Sequence, residues 1–145
     1  MISRSVEDYL EAIYELVCEK GYARTRDIAS KLGVKPPSVT EMLQKMGRQG
    51  LIIYKRYHEV QLTEKGEKLA KSVIKRHRLL KEFLMLLGLD EKIAEEDACE
   101  MEHSIHTKTV ERLALFMQYL KNSPVASRWI EDFRRKCAVD DVSRG

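Results

Sequence analysis

Cysteine, proline, glycine and tryptophan are all scarce in this chain, and no long apolar run occurs. The three cysteines, at 18, 99 and 137, are odd in number and widely spaced, which argues against a disulfide framework and leaves at least one thiol for other chemistry. Three prolines and seven glycines in 145 residues exclude a collagen-like or linker-like chain and leave little to interrupt helices. No stretch approaches the roughly 20 apolar residues that span a bilayer. Glu7, Asp8 and Glu11 break the one apolar stretch near the start, so a secretory signal is not expected either. The expected setting is cytoplasmic, with no membrane partner.

What is present describes a globular protein. Hydrophobic residues make up 43% of the chain and charged ones 34%, enough for a core and a well-solvated surface in one domain or two small ones. The net charge of +3 says little until it is divided along the chain. Between residues 31 and 58, Lys31, Lys35, Lys45, Arg48, Lys55 and Arg56 face one carboxylate, Glu41, a balance suited to a phosphate backbone. Between 90 and 102, seven carboxylates face only Lys92, a balance suited to a cation.

The apolar spacing predicts a first helix from about Val6 to Glu19, capped by Ser5 and ended by Gly21. Thr25 is expected to cap a short helix, Arg26 to Lys31, and Gly33 to supply the tight turn after it. Proline is tolerated in a first helical turn, so Pro37-Ser38-Val39-Thr40 reads as the start of a helix running to about Gln49. Its inward positions are Val39, Leu43 and Met46. Two β-prone runs, Leu51 to Tyr54 and Val60 to Thr63, flank a polar tip and predict a two-stranded wing. A long helix from Glu64 to about Leu87 and three shorter ones near 91–102, 105–121 and 124–136 complete the chain. The expected fold is mainly α: an N-terminal winged helix-turn-helix with a two-stranded wing over 1–70, then an all-helical domain over 71–145.

In such a reader the second helix of the turn enters the major groove while basic residues grip phosphates on either side. Candidate DNA contacts are Arg26, Lys35, Pro37, Ser38, Thr40, Gln44, Lys45 and Arg48, with Lys55, Arg56 and His58 on the wing. Few of these can make bidentate base contacts, so phosphate gripping and DNA shape should carry much of the binding. Winged helices also serve as protein-interaction modules, and the locally basic surface favours DNA over that alternative. One small reader covers few base pairs, so the expected partner is double-stranded DNA with a palindromic operator, bound by a homodimer. Apolar positions such as Leu79, Phe83, Leu113, Phe116 and Tyr119 exceed what a small helical domain needs for itself, as a dimer requires.

Residues 99 to 106 read Cys-Glu-Met-Glu-His-Ser-Ile-His. On a helix, Cys99, Glu102 and His103 at i, i+3 and i+4 would share one face and offer thiolate, carboxylate and imidazole, the donor types of a first-row transition-metal site. Each has a plainer reading alone. Cys99 could be a small buried hydrophobe, and His77, in the basic run Lys75 to Arg78, a solvated side chain. Asp8 and Glu11 could serve the helix macrodipole. His106 either joins the site or lines the same face.

Glu7 to Tyr14, Gly21-Tyr22-Ala23-Arg24, Pro37-Ser38-Val39-Thr40, Leu62-Thr63-Glu64-Lys65-Gly66, Arg76-His77 and Cys99 to His103 together resemble the diphtheria toxin repressor and manganese transport regulator family, closest to its two-domain manganese branch. The resemblance implies a cytosolic homodimeric repressor of metal homeostasis whose metal ligands are Asp8, Glu11, His77, Cys99, Glu102 and His103. Cys99 departs from the manganese pattern, which has a bridging carboxylate there, while the iron-sensing pattern has methionine where this chain has Asp8. The hybrid set implies Mn(II) or Fe(II) first, with Zn(II) or Co(II) as alternatives favoured by a softer thiolate, and one or two ions per subunit. Other readings are a redox- or ligand-responsive winged-helix regulator and a small metal-dependent hydrolase.

Overall fold

The computed structural model describes residues 2–54 and 59–144, apart from the side chains at 139 and 141–144. The chain forms two compact units, Met1–Ile74 and Lys75–Gly145. No described helix is long and apolar enough to cross a membrane.

The first unit opens with α1 (Arg4–Lys20), α2 (Thr25–Leu32) and α3 (Pro36–Arg48). Ser3, not Ser5, caps α1, its hydroxyl accepting from Val6 N at 3.3 Å. The N-cap of α2 is likewise Arg24 rather than Thr25, and no side chain caps that end. Both serines satisfy the composition of a cap, and only the backbone decides which residue stays extended while its successor turns helical. Gly33 takes the left-handed conformation, φ 66°, and its N–H bonds to Ala29, closing the turn that delivers α3. Pro36 and Pro37 occupy the first turn of α3 and need no N–H there.

The wing pairs β1 (Ile52–Tyr54) antiparallel with β2 (Val60–Leu62), Ile53 opposite Gln61. A bridge that the hydrophobic pattern does not announce joins Ala23 to Val60 through reciprocal backbone bonds of 3.3 and 2.7 Å, tying the α1–α2 turn to the wing. One core unites these elements: Leu10, Ile13, Ile28, Val39, Leu43, Met46, Leu51 and Val60 are fully buried, with Ala70 from the start of the next helix. The expected inward triad of α3 is therefore the observed one.

The long helix α4 (Glu64–Leu86) is launched by Thr63, whose hydroxyl donates to Gly50 O at 2.6 Å and accepts from Gly66 N at 3.1 Å. Gly66 is packed so closely on the Leu51 carbonyl that a β-carbon would collide with backbone. A Gly66→Ala variant should lose roughly 1–3 kcal/mol, the usual cost of overpacking against atoms that cannot yield. Urea denaturation would show it as a lower midpoint at unchanged slope.

In the second unit α4 continues, followed by α5 (Glu91–Met101), α6 (Thr107–Asn122) and α7 (Pro124–Arg144), so the last helix outruns its expected end. Asp90 caps α5, accepting from Ile93 N at 2.9 Å. Leu80, Leu84, Ala94 and Ala98 form the core of this unit, with Phe83, Met101, Ile105 and Leu113 packed on it. Beside this core, Phe83, Leu87, Phe116, Tyr119, Trp129 and Phe133 line an apolar cavity of about 290 Å³, and Trp129 and Tyr119 are 71% and 65% exposed.

Candidate metal centre and nucleic-acid interface

The exposed face of α3 is set by the burial of Val39, Leu43 and Met46 on the other. Lys35, Pro37, Ser38, Thr40, Gln44, Lys45 and Arg48 are all exposed, as is Arg26 on α2. The Thr40 hydroxyl donates to Pro36 O at 3.2 Å, so part of its hydrogen-bonding capacity is spent on its own helix. Lys31 differs from its neighbours in the basic segment. Its ammonium pairs with Glu15 of α1 at 2.8 Å, and that hydrogen bond raises its pKa. It is exposed like its neighbours, but its ammonium is held by Glu15 and ties α1 to α2. Lys55, Arg56 and His58 lie outside the described residues.

The second unit gathers the other candidate chemistry. α4 supplies His77, α5 supplies Glu95 and Cys99, and the turn after α5 supplies Glu102 and His103. α5 stops at Met101, with Glu102 as its C-cap in right-handed geometry, so His103 lies in the turn beyond rather than on the helix face expected of it. His106, also beyond the helix, is the exposed N-cap of α6. The Arg76 guanidinium donates to Glu102 O at 2.8 Å and places a positive charge at the carbonyl end of α5, where the helix dipole favours it.

Glu102 is the centre of the group. Its side chain is 1% exposed, with His77 Nδ1 2.9 Å from Oε2 and His103 Nε2 3.2 Å from Oε1. The Cys99 sulfur lies 3.8 Å from His77 Nδ1. The other nitrogen of His77, Nε2, is 2.8 Å from Glu95 Oε1 in good hydrogen-bonding geometry, whereas Glu102 Oε2 accepts no well-formed hydrogen bond among the described residues. A neutral imidazole has a single N–H. With that proton on Nε2, the Nδ1 lone pair points toward a buried carboxylate oxygen.

Such a convergence of lone pairs on a buried carboxylate, with the exposed Cys99 thiol at its edge, is costly unless a cation joins it. Nitrogen, oxygen and sulfur donors of this kind fit a divalent transition metal. His77, Cys99, Glu102 and His103 are thus brought together. Asp8 and Glu11, half-buried three residues apart on α1, belong to the first unit.

Nothing in the sequence singles out Glu95. It stood there as one of seven carboxylates in an acidic stretch, and only the packing of α5 beside α4 singles it out. Burial pushes its pKa up, but the hydrogen bond and charge of Lys81, with the hydrogen bond from His77, outweigh this and hold it below its ordinary value. Lys81 in turn is raised by its bonds to Glu95 and Glu91, at 3.0 and 3.1 Å.

Residues 1–60 match the family described as iron dependent repressor, N-terminal DNA binding domain, and residues 63–130 the family described as iron dependent repressor, metal binding and dimerisation domain. The HTH-type transcriptional regulator MntR of Lysinibacillus sphaericus is 42% identical over 124 residues, which span 86% of this chain and 89% of that protein. Among solved structures, the manganese regulator SloR is similar with a TM-score of 0.70 and 36% identity, over 79% of this chain and 54% of its own. ScaR with bound Zn2+ is similar at a TM-score of 0.69 and 35% identity, again over 79% and 54%. The chain therefore spans about half the length of those two structures and nearly all of the MntR relative.

Proposed function

Because the chain belongs to the iron-dependent repressor family, we propose that it is a metal-responsive repressor that binds a palindromic operator as a homodimer. In this reading Asp8 and Glu11 of the first unit join His77, Cys99, Glu102 and His103 of the second in holding a divalent transition metal, and the units are thereby fixed in the geometry that suits DNA. Bound there, the ion supplies the positive charge that the carboxylates and thiolate lack. The observation that carries the reading is the buried Glu102 carboxylate, set between two imidazoles and short of one hydrogen bond.

The chain's own residues account for the rest. Without a cation, Glu102 and the carboxylates of Asp8 and Glu11 repel one another, which favours a looser arrangement and a protonated Cys99. Mn(II) and Fe(II) suit the oxygen donors, and the Cys99 sulfur widens the range to Zn(II) and Co(II). Lys35, Lys45, Arg48 and Arg26 grip phosphates while Ser38, Gln44 and Thr40 approach base edges. The wing contacts expected of Lys55, Arg56 and His58 belong to the same reading. The apolar cavity bounded by the end of α4, α6 and α7, open at Trp129 and Tyr119, supports the homodimer, since exposed aromatic surface of this extent marks an association face. Both matching families describe binding and dimerisation domains, which favours a regulator over a metal-dependent hydrolase.

An Asp8→Ala variant should fold and dimerise as the parent does, and lose the metal-dependent gain in DNA affinity. Sedimentation and fluorescence anisotropy on one sample check both halves of that statement. A variant that keeps the full metal response would remove Asp8 from the proposed ligand set.

A further inference from the structure

We propose that Glu95 is a positioning residue for this site: its carboxylate holds the Nε2–H of His77 and so keeps the Nδ1 lone pair turned toward Cys99 and Glu102. The inference rests on the reading of His77 as a metal ligand. Its physical basis is a competition. The neutral ring has one proton, and a carboxylate oxygen lies near each nitrogen, Glu95 Oε1 at 2.8 Å from Nε2 and Glu102 Oε2 at 2.9 Å from Nδ1. If Glu102 takes the proton, Nδ1 becomes an N–H and the ring can no longer donate an electron pair on the side where Cys99 stands. Glu95 favours the Nε2–H form because its bond to Nε2 is well aligned and the Glu102 approach is not, while the Cys99 thiol, 3.8 Å from Nδ1, can donate to the lone pair left there.

Glu95 is built for orienting rather than ligating. Its second oxygen lies 3.0 Å from the Lys81 ammonium, which is itself anchored to Glu91 at 3.1 Å. An ammonium already occupying the carboxylate leaves poor room for a metal cation beside it, yet it fixes the oxygen that faces His77. A carboxylate behind a ligating imidazole sets the tautomer and ring orientation, and loss of such a partner commonly weakens metal affinity by roughly 10–100-fold.

The experiment uses the full chain, metal-free, at a pH where His77 is neutral, and reads its tautomer by long-range ¹H–¹⁵N NMR. The parent should show the Nε2–H form. E95A should shift the ring toward Nδ1–H and weaken Mn(II) binding by about 10–100-fold. E95Q keeps an acceptor oxygen and should restore both the tautomer and most of the affinity, which a merely structural or a ligating Glu95 would not allow. An unchanged tautomer and affinity in E95A would overturn the inference, as would an E95Q loss as large as that of H77A. If H77A leaves Mn(II) affinity unchanged, the ligand reading of His77 fails instead, and the tautomer measurement separates the two failures.

Discussion

Glu102→Gln should give a folded chain whose affinity for operator DNA no longer rises when Mn(II) is added. The substitution keeps the volume and removes the charge. In the parent, the buried carboxylate stands between His77 and His103 with an oxygen that accepts no well-formed hydrogen bond. An amide there offers the metal a weak neutral oxygen and leaves the imidazoles without their central anion. Coupling between metal and DNA in switches of this kind amounts to about 1–3 kcal/mol, so the variant should forfeit a gain of roughly 5–150-fold. Its metal-free stability should hold or rise, because an ill-compensated buried charge has been removed. Anisotropy with a labelled palindromic duplex, with and without metal, reads the first effect, and thermal denaturation of the apo protein reads the second. A full metal response in Glu102→Gln would displace this carboxylate from the centre of the site.

The second large effect concerns salt. Lys45 and Arg48 are exposed on α3, and on the DNA-binding reading each neutralises a phosphate. Every such contact contributes about 0.9 to the slope of log affinity against log salt. Replacing both by alanine in a homodimer removes four contacts, and the slope should become shallower by about 3 to 4. Binding should suffer most at low salt, because counterion release drives it there. Lys31→Ala is the internal control. Its ammonium is engaged by Glu15 at 2.8 Å, so the slope should stay as it was. Equal changes in the two variants would mean that the basic surface acts as a diffuse field rather than through the exposed face of α3.

The elements were legible in the sequence where periodicity and chain-breaking residues agree. The inward triad Val39, Leu43 and Met46, the turn at Gly33 and the antiparallel wing all stand as the pattern predicts, because each follows from local spacing. Caps were less legible. Ser3 and Ser5 have the same chemistry, and the choice between them depends on where the backbone first becomes helical. Long-range pairing was hardest to see. The Ala23–Val60 bridge, the Lys31–Glu15 pair and the Glu95–His77 bond each join residues from different elements. No periodicity marks such partners before the elements pack. Cys99, Glu102 and His103 were conspicuous because three ligand types crowd into five residues. Glu95, among six other carboxylates of the same stretch, was hidden by them.

Anaerobic titration of Mn(II), Fe(II), Co(II) and Zn(II) into the apo protein, following metal stoichiometry together with affinity for palindromic duplexes at fixed salt, probes the coupling of metal to DNA itself. Specific DNA binding should tighten at least about fivefold as metal saturates the site, with reciprocal tightening of metal by cognate DNA. Metal that binds with no gain in DNA affinity, at any of the four ions, would contradict this coupling.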